Sequence, residues 1–413
     1  MRELPEGWKP IRLRDTGVWL SGGTPSTDEP RFWDGDIPWI SAASMKDFYI
    51  HDSDRKLTKS GSSAGTRMVG RDSVIFVVRG MSLKKEFRVG VAQRELAFGQ
   101  DCKAIIPRQG IDGTFLARAL KVRTGEILSM VDEAGHGTGR LPTDMISRLE
   151  IGIPPMSEQR RIAEILGALE SQISTASLVI DKLRVMHRGV IHDTLFYGMA
   201  KAAEQTGGWS LEPVADVGMV KLGRQRSPQH ETGRHMTPYL RVANVYDNYI
   251  NYGDVLEMNF TPAEQEVFGL QGGDILLNEG QSLELVGRSA IYDGPPGYCF
   301  QNTLVRFRPH RTSPEFAQAI FSYWLSTGEF MKIAKRTTSI AHLGADRFAQ
   351  MRFPVPPLDE EKKIVASINA VAEAAEAETA RVASLHLLKQ GLTEDLLTGR
   401  VRVSEAEAVL ENP

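Results

Sequence analysis

The spacing of apolar and polar positions changes character twice along this chain, and in the same way each time. Over roughly the first 150 residues, short apolar runs such as "DSVIFVV" and "CKAIIP" alternate with Gly- and Asn-containing turns, the punctuation of β-strands. Beyond residue 158 the spacing lengthens to a 4,3 repeat through Ile162, Leu166, Leu169, Ile173, Ala176, Ile180 and Leu183, with polar His187 next in line. Strand-length runs then return as "DILLNEG" and "TLVRFRP", with helical patches such as "PEFAQAIFSYWLST". A second 4,3 stripe follows at Ile364, Ile368, Val371, Ala375, Val382 and Leu385, interrupted by Glu378 and Lys389. Both stripes occupy heptad a and d positions. With no proline from 158 to 195 or from 360 to 397, each predicts a helix roughly 57 Å long.

The two helix starts read "IPPMSEQRRIAEIL" from Ile153 and "VPPLDEEKKIVASI" from Val355. A proline pair stops the preceding segment, and Ser157 is the expected N-cap, with Glu158 in the first turn; Asp359, Glu360 and Glu361 serve the second copy. Other blocks keep the same spacing. "EGWKPIRLRDTG" pairs with "GGWSLEPVADVG", setting Trp8 against Trp209, and "IPWISAAS" pairs with "TPYLRVAN", setting Trp39 against Tyr239. "SVIF" pairs with "DILL", setting Val74 against Ile275, and these three pairs are expected in the core. Colinear blocks held at an offset of 200 to 202 residues mark a tandem duplication. The expected parts are residues 1–152 and 199–354, each a mixed α/β globular domain, and 153–198 and 355–413, each helical. The strand order inside the globular parts does not follow from the sequence.

A narrow a/d stripe cannot be buried by one helix alone. Either each helix folds back on its own globular part, or the two pair with each other. Stripes of four heptads, longer than a small domain, favour pairing as an antiparallel coiled coil. Such pairing would give one chain an approximate two-fold symmetry, with its globular parts at opposite ends.

Composition narrows the partners less than the chemistry. Of the residues, 41% are hydrophobic and 24% charged, as in ordinary globular proteins. No run is long and apolar enough for a bilayer span, and "MRELPEGWKP" lacks the apolar stretch of a secretory signal. Cys102 and Cys299 are the only cysteines, so no disulfide framework is expected, and a cytoplasmic location is. The net charge of −3 is uneven: residues 1–150 carry 23 Lys+Arg against 20 Asp+Glu, and residues 353–413 carry 6 against 11. This disfavours only a wholly electrostatic, histone-like mode of nucleic-acid binding.

Catalytic signatures are missing. The sequence contains no GxxxxGK[ST], GxGxxG after a strand, HExxH, CxxC or GxSxG element, and no [DNS]PP[YFW] element of an amino-methyltransferase. Nine scattered histidines form no ligand spacing. A duplicated protein of this kind reads as a recognition or scaffolding subunit, non-catalytic by itself and holding no cofactor or metal of its own.

Several stretches resemble the specificity (S) subunits of type I restriction–modification systems. "LPEGWKPIRLRDTGVWLSGGTPSTDEPRFWDGDIPWIS" is similar to the start of a target-recognition domain of that family. "GIPPMSEQRRIAEILGALESQI" and "PVPPLDEEKKIVASINAV" are similar to the starts of its two helical regions, and "LTEDLLTGRVRV" to its close. The second copy carries Glu361 where the pattern has Gln, a change expected to matter little on a solvated first turn. The resemblance implies two target-recognition domains, each reading one half of a split site in double-stranded DNA, with the paired helices fixing the spacer. It further implies modification subunits, which carry S-adenosylmethionine and methylate adenine, and restriction subunits, with ATP and Mg on those partners and none here.

Base readout needs Arg, Lys, Asn, Gln, Ser or Thr presented on an accessible element. In the first globular part the candidates are Lys84, Lys85 and Arg88 of "RGMSLKKEFR" and Thr138 and Arg140 of "GHGTGR". In the second they are Lys221, Arg224 and Arg226 of "KLGRQR", Gln281 and Ser282 of "EGQSLE", and Arg336, Thr337 and Thr338 of "KRTTS". Each of these loops is equally compatible with plain solvation, and the family resemblance transfers no base contact. The competing function is a coiled-coil scaffold whose globular parts bind protein partners; a third is an enzyme whose active site escapes these patterns.

Overall fold

The computed structural model describes residues 4–134, 137–337 and 340–406. The chain divides into two compact units. One contains the described residues up to Ser177 together with those from Ala380 onward; the other is Leu178–Thr379. Each unit therefore combines one globular part with a portion of both long helices.

The first unit is built on a five-stranded sheet in the order Gly17–Ser21, Cys102–Pro107, Val74–Val77, Val89–Ala92 and Tyr49–Ile50. Its pairs are antiparallel except the last, which is parallel. All four residues of Val74–Val77 are buried, so the run "VIFV" is apolar without alternation because both faces of that strand are covered. The helix Gly113–Val122 packs against this sheet, its N-cap Asp112 accepting from Phe115 N at 2.9 Å. A second, four-stranded sheet joins Lys56–Leu57, Trp33–Ile40, Leu96–Phe98 and Arg67–Val69.

The second unit repeats the plan. Gly218–Leu222, Leu304–Pro309, Ile275–Asn278 and Ser289–Ile291 form its main sheet in the corresponding order. Gly17 faces Pro107 in one sheet, and Gly218 faces Pro309 in the other, so the duplication extends to strand register. The helix here is Pro314–Ser326, capped by Ser313 with proline at its first position. Trp8, Trp39, Val74, Trp209, Tyr239 and Ile275 are all buried, as their pairing required.

In each unit a two-stranded ribbon brings the start of the globular part beside its end: Lys9–Arg12 with Glu150–Ile153, and Ser210–Pro213 with Arg352–Val355. A long helix leaves directly from each ribbon. The first spans Met156–Glu204, 49 residues, and the second Leu358–Thr398, 41 residues. Every a and d residue of the two 4,3 stripes is buried or half-buried, including His187, Glu378 and Lys389. In the first unit Ile162, Leu166 and Leu169 share a core with Leu392, Leu396 and Leu397. Glu170 pairs with Lys389 at 2.8 Å and Glu158 with Arg402 at 3.0 Å, so the segments run antiparallel. In the second unit Ile191 and Leu195 share a core with Ile364 and Ile368, and Lys201, near the end of one helix, meets Glu360, at the start of the other, at 2.9 Å. The pairing of the long helices is thus present in both units. Among the described residues no helix is long and apolar enough to cross a membrane.

The helix starts differ from expectation in two ways. The helices begin at Met156 and Leu358, one residue before Ser157 and Asp359, so neither of those side chains is the N-cap. Nor is the position of Glu361 solvated. Glu361 is 4% exposed and its counterpart Gln159 is wholly buried. Gln159 accepts from Asp112 N at 2.8 Å and donates to the carbonyls of Gly110 at 2.9 Å and Pro154 at 2.8 Å. Glu361 accepts from Ser313 N at 2.7 Å. A side chain at the fourth residue of each long helix folds back onto the loop that caps the neighbouring helix, and Gln159 also holds the Pro154 carbonyl.

Candidate nucleic-acid interface

Two candidate segments that lie more than forty residues apart in the sequence are neighbours in the first unit. Arg79–Gly80 pairs antiparallel with Thr138–Arg140, which pairs in turn with Asp132–Ala134, forming a small three-stranded sheet. Met81–Lys84 continues from this sheet as a short 3-10 helix. Lys84, Lys85, Thr138 and Arg140 are thereby brought to one place. The second unit forms the corresponding sheet from Gly280–Gln281, Ala341–His342 and Lys335–Arg336, uniting Gln281 and Ser282 with Arg336 and Thr337. Thr338 lies outside the described residues. The "KLGRQR" segment joins neither small sheet: Lys221 is on the main-sheet strand Gly218–Leu222, its ammonium 5.8 Å from the centre of the Phe268 ring.

The candidates differ in how free they are. Lys85 and Arg336 are exposed. Lys84 is tied to Glu133 at 2.7 Å, and this ion pair holds the fully exposed Glu133 carboxyl below its ordinary range. Arg140 stands 3.9 Å from Asp132, a loose exposed pairing that adds little. Arg226 pairs with Glu231 at 3.1 Å on the surface. Gln281 accepts from Ser282 N at 3.0 Å, and both are half-buried. The Thr337 hydroxyl donates to Ile340 O at 2.9 Å.

Arg88 and Arg224 are not presented as expected. Arg88 is half-buried, bonded to Glu86 at 2.9 Å and to the Ala42 carbonyl at 3.0 Å. Arg224 is 7% exposed, pairs with Glu264 at 2.8 Å and lies 4.8 Å from the centre of the Phe260 ring. A buried guanidinium with its partners in place ties a strand end to a helix; reaching DNA would mean breaking that pair.

The buried network that the sequence did not disclose joins the first globular part to both helices. Arg118, 5% exposed, donates to Glu170 at 3.1 and 2.7 Å and to the Tyr49 hydroxyl at 3.0 Å, and Lys389 reaches the same carboxylate. Burial alone would raise the Glu170 pKa, but the two cations outweigh it and hold it below the ordinary range. Lys389, which interrupts the apolar stripe, is the residue that completes this joint.

Two similar units, each with a small surface sheet bearing basic and other polar side chains, describe a duplicated recognition protein whose parts are tied to paired helices. Residues 5–182 and 208–386 match the type I restriction modification DNA specificity domain, and the chain belongs to that family. It is 29% identical to the type I restriction enzyme EcoR124I/EcoR124II specificity subunit of Escherichia coli over 166 residues, 40% of this chain and 41% of that protein. It is 24% identical to the MjaIX specificity subunit of Methanocaldococcus jannaschii over 261 residues, 59% of each. With the EcoKI specificity subunit of Escherichia coli K12 the identity is 21%, covering 100% of this chain and 92% of that one. Among solved structures, the type I restriction–modification S subunit from M. genitalium aligns with a TM-score of 0.54 at 14% identity, covering 96% of this chain and 97% of that one. The HsdS subunit from Thermoanaerobacter tengcongensis aligns with a TM-score of 0.53 at 17% identity, covering 97% and 98%. These two structures share the fold.

Proposed function

We propose that this chain gives a type I restriction–modification complex its DNA sequence, each unit reading one half of a bipartite site in double-stranded DNA. The observation that carries this reading is the repeated small sheet. In both units a small three-stranded sheet and the turns beside it carry side chains suited to base edges and phosphates: Lys84, Lys85, Thr138 and Arg140 in one, and Gln281, Ser282, Arg336 and Thr337 in the other. The two sets differ, which supports two unlike half-sites. The long helices set the spacer between them. At 1.5 Å per residue the 49-residue helix is about 74 Å long, more than one turn of B-DNA.

The chain itself catalyses nothing in this reading. Modification subunits dock on the helices and bring S-adenosylmethionine for adenine methylation; restriction subunits join with ATP and Mg, all in the cytoplasm. The test is binding of duplex DNA by the chain assembled with its modification subunit, across a salt series. A DNA reader loses affinity steeply as salt rises, because each phosphate contact releases counterions. An assembly that binds no duplex at low salt, while its globular parts capture peptides, would establish the scaffold instead. Methyl transfer by the isolated chain would make it an enzyme.

A further inference from the structure

The small sheet of the first unit contains a pairing that works against its own stability. Across its solvent face the register sets Asp132 opposite Arg140 and Arg140 opposite Arg79. Directly opposed residues point the same way with Cβ atoms roughly 5 Å apart, and like charges so placed repel. Asp132 does not offset this, standing 3.9 Å from Arg140 with both side chains 55% exposed. Arg79 is exposed and has no carboxylate within 4.0 Å among the described residues. Two neighbouring cations are already engaged, Lys84 by Glu133 and Arg88 by Glu86.

The backbone pairing that opposes the two arginines is anchored next to them. Leu141 N donates to Val78 O at 2.8 Å, and Val78 N to Asp101 O at 2.8 Å, fixing the sheet immediately beside the pair. On the opposite face Gly139 packs so closely that an added Cβ would lie 3.1 Å from Leu83 Cβ and 3.2 Å from the Gly80 carbonyl. Two arginine side chains therefore start from directly opposed positions on an exposed face, with only the Asp132 carboxylate beside them. An anion with several oxygens would balance them, and the planar donor forks of arginine match phosphate oxygens.

We infer that Arg79 and Arg140 together grip one phosphodiester group of the DNA backbone. The inference rests on the DNA-reading function proposed above and adds an asymmetry to it. In the second unit the corresponding row is Lys335, His342 and Gly280, and His342 Nδ1 lies 2.9 Å from Glu279 Oε2. No pair of arginines faces solvent there. The first unit holds the duplex by its backbone at this point; the second does not.

The experiment uses the complex with its modification subunit and the variants Arg79→Gln and Arg140→Gln. Each should weaken cognate and unrelated duplexes by the same factor and reduce the slope of log K against log salt, with the two substitutions together reducing it by about 1. The methylated sequence should not change. Without DNA, Arg79→Gln should leave amide-exchange protection of the small sheet equal to or higher than wild type, since a repulsion has gone. Inorganic phosphate alone should protect this sheet in the wild type and not in Arg79→Gln. Unchanged affinity and slope would overturn the inference, as would a changed methylation motif, which would mark base readout. Protection by free phosphate with DNA affinity indifferent to Arg79 would also overturn it, in favour of a free-anion site. A wild-type complex that binds no duplex removes the proposed function itself; a wild type that binds while the variants match it removes only the clamp.

Discussion

Exchanging the residues that the two helix starts hold at one position, Gln159 and Glu361, should move the stability of the two units in opposite directions. Gln159 is wholly buried and uses its amide fully, accepting one backbone hydrogen bond and donating two. Gln159→Glu keeps an acceptor for Asp112 N but, as a carboxylate, donates nothing to the carbonyls of Gly110 and Pro154. The buried Pro154 carbonyl left without its donor costs about 1–3 kcal/mol, and the part-buried Gly110 carbonyl adds less, so the exchange should destabilise the first unit by at least about 1–3 kcal/mol. The second unit carries that deficit already. Among the described residues Glu361 makes only the bond to Ser313 N, no side chain donates to the Pro356 carbonyl, and the nearby Thr312 hydroxyl is buried without a partner. Glu361→Gln should therefore stabilise, by about 1 kcal/mol for each new bond formed. A single melting temperature is not well defined for a chain of two units, so the assay is amide hydrogen exchange resolved by peptide. Protection should fall around residues 108–115 and 156–162 in Gln159→Glu, and rise around 310–317 and 358–364 in Glu361→Gln. A neutral Gln159→Glu together with a destabilised Glu361→Gln would show that this position is not a hydrogen-bonded tie.

The remaining predictions concern charge. Glu170→Gln leaves Arg118 buried beside a neutral partner and should cost the first unit about 3 kcal/mol at neutral pH. Because the native Glu170 pKa lies below its unfolded value near 4.5, its contribution is present above that pH and is lost as pH falls through the lower native value. Denaturant titrations from pH 7 to pH 3 should show the gap between wild type and variant closing in acid; a constant gap would contradict the assignment. Arg224→Ala should destabilise the second unit by about 1–3 kcal/mol, since it removes the guanidinium's bonds to Glu264 and to the Asn259 carbonyl and its packing on Phe260. Arg336→Ala should weaken duplex binding while leaving that unit's exchange protection unchanged, and equal effects of the two substitutions on both readouts would refute the separation drawn here.

What was legible in the sequence is what repeats or oscillates. The duplication, the two 4,3 stripes and the core pairs Trp8/Trp209, Trp39/Tyr239 and Val74/Ile275 all depend on pattern, and pattern survives without coordinates. The first helix nevertheless runs past residue 195 to Glu204. Beyond Ile180 its buried positions become Ile191, Leu195, Gly198 and Ala202, a drift from the heptad phase as packing shifts toward the globular part. Gly198 sits against Trp209 so closely that an added Cβ would lie 2.5 Å from the indole. Such a contact leaves no trace in a heptad count.

The candidate interface was legible as segments and not as a surface. The "RGMSLKKEFR" and "GHGTGR" stretches meet only through a strand pairing between residues about sixty positions apart, which no local pattern encodes. Arg79 went unselected for the same reason, since its significance lies in facing Arg140. Arg224 looked like a loop cation because its partner Glu264 is forty residues away and its burial is set by Phe260. The place of Glu361 on an acidic first turn concealed its burial. One departure from periodicity was informative in retrospect: Lys389 and His187 occupy equivalent stripe positions, and Lys389 proves to complete the Arg118–Glu170 joint.

The central claim is that one chain carries two readers whose separation the paired helices fix. It is tested most directly by expressing the chain with its modification subunit in cells lacking other adenine methylation and sequencing the methylome. The expected result is methylated adenine in one motif made of two unlike halves, separated by a constant number of unread positions, and none when the chain is omitted. A continuous motif, halves separated by a variable gap, or methylation independent of the chain would contradict it.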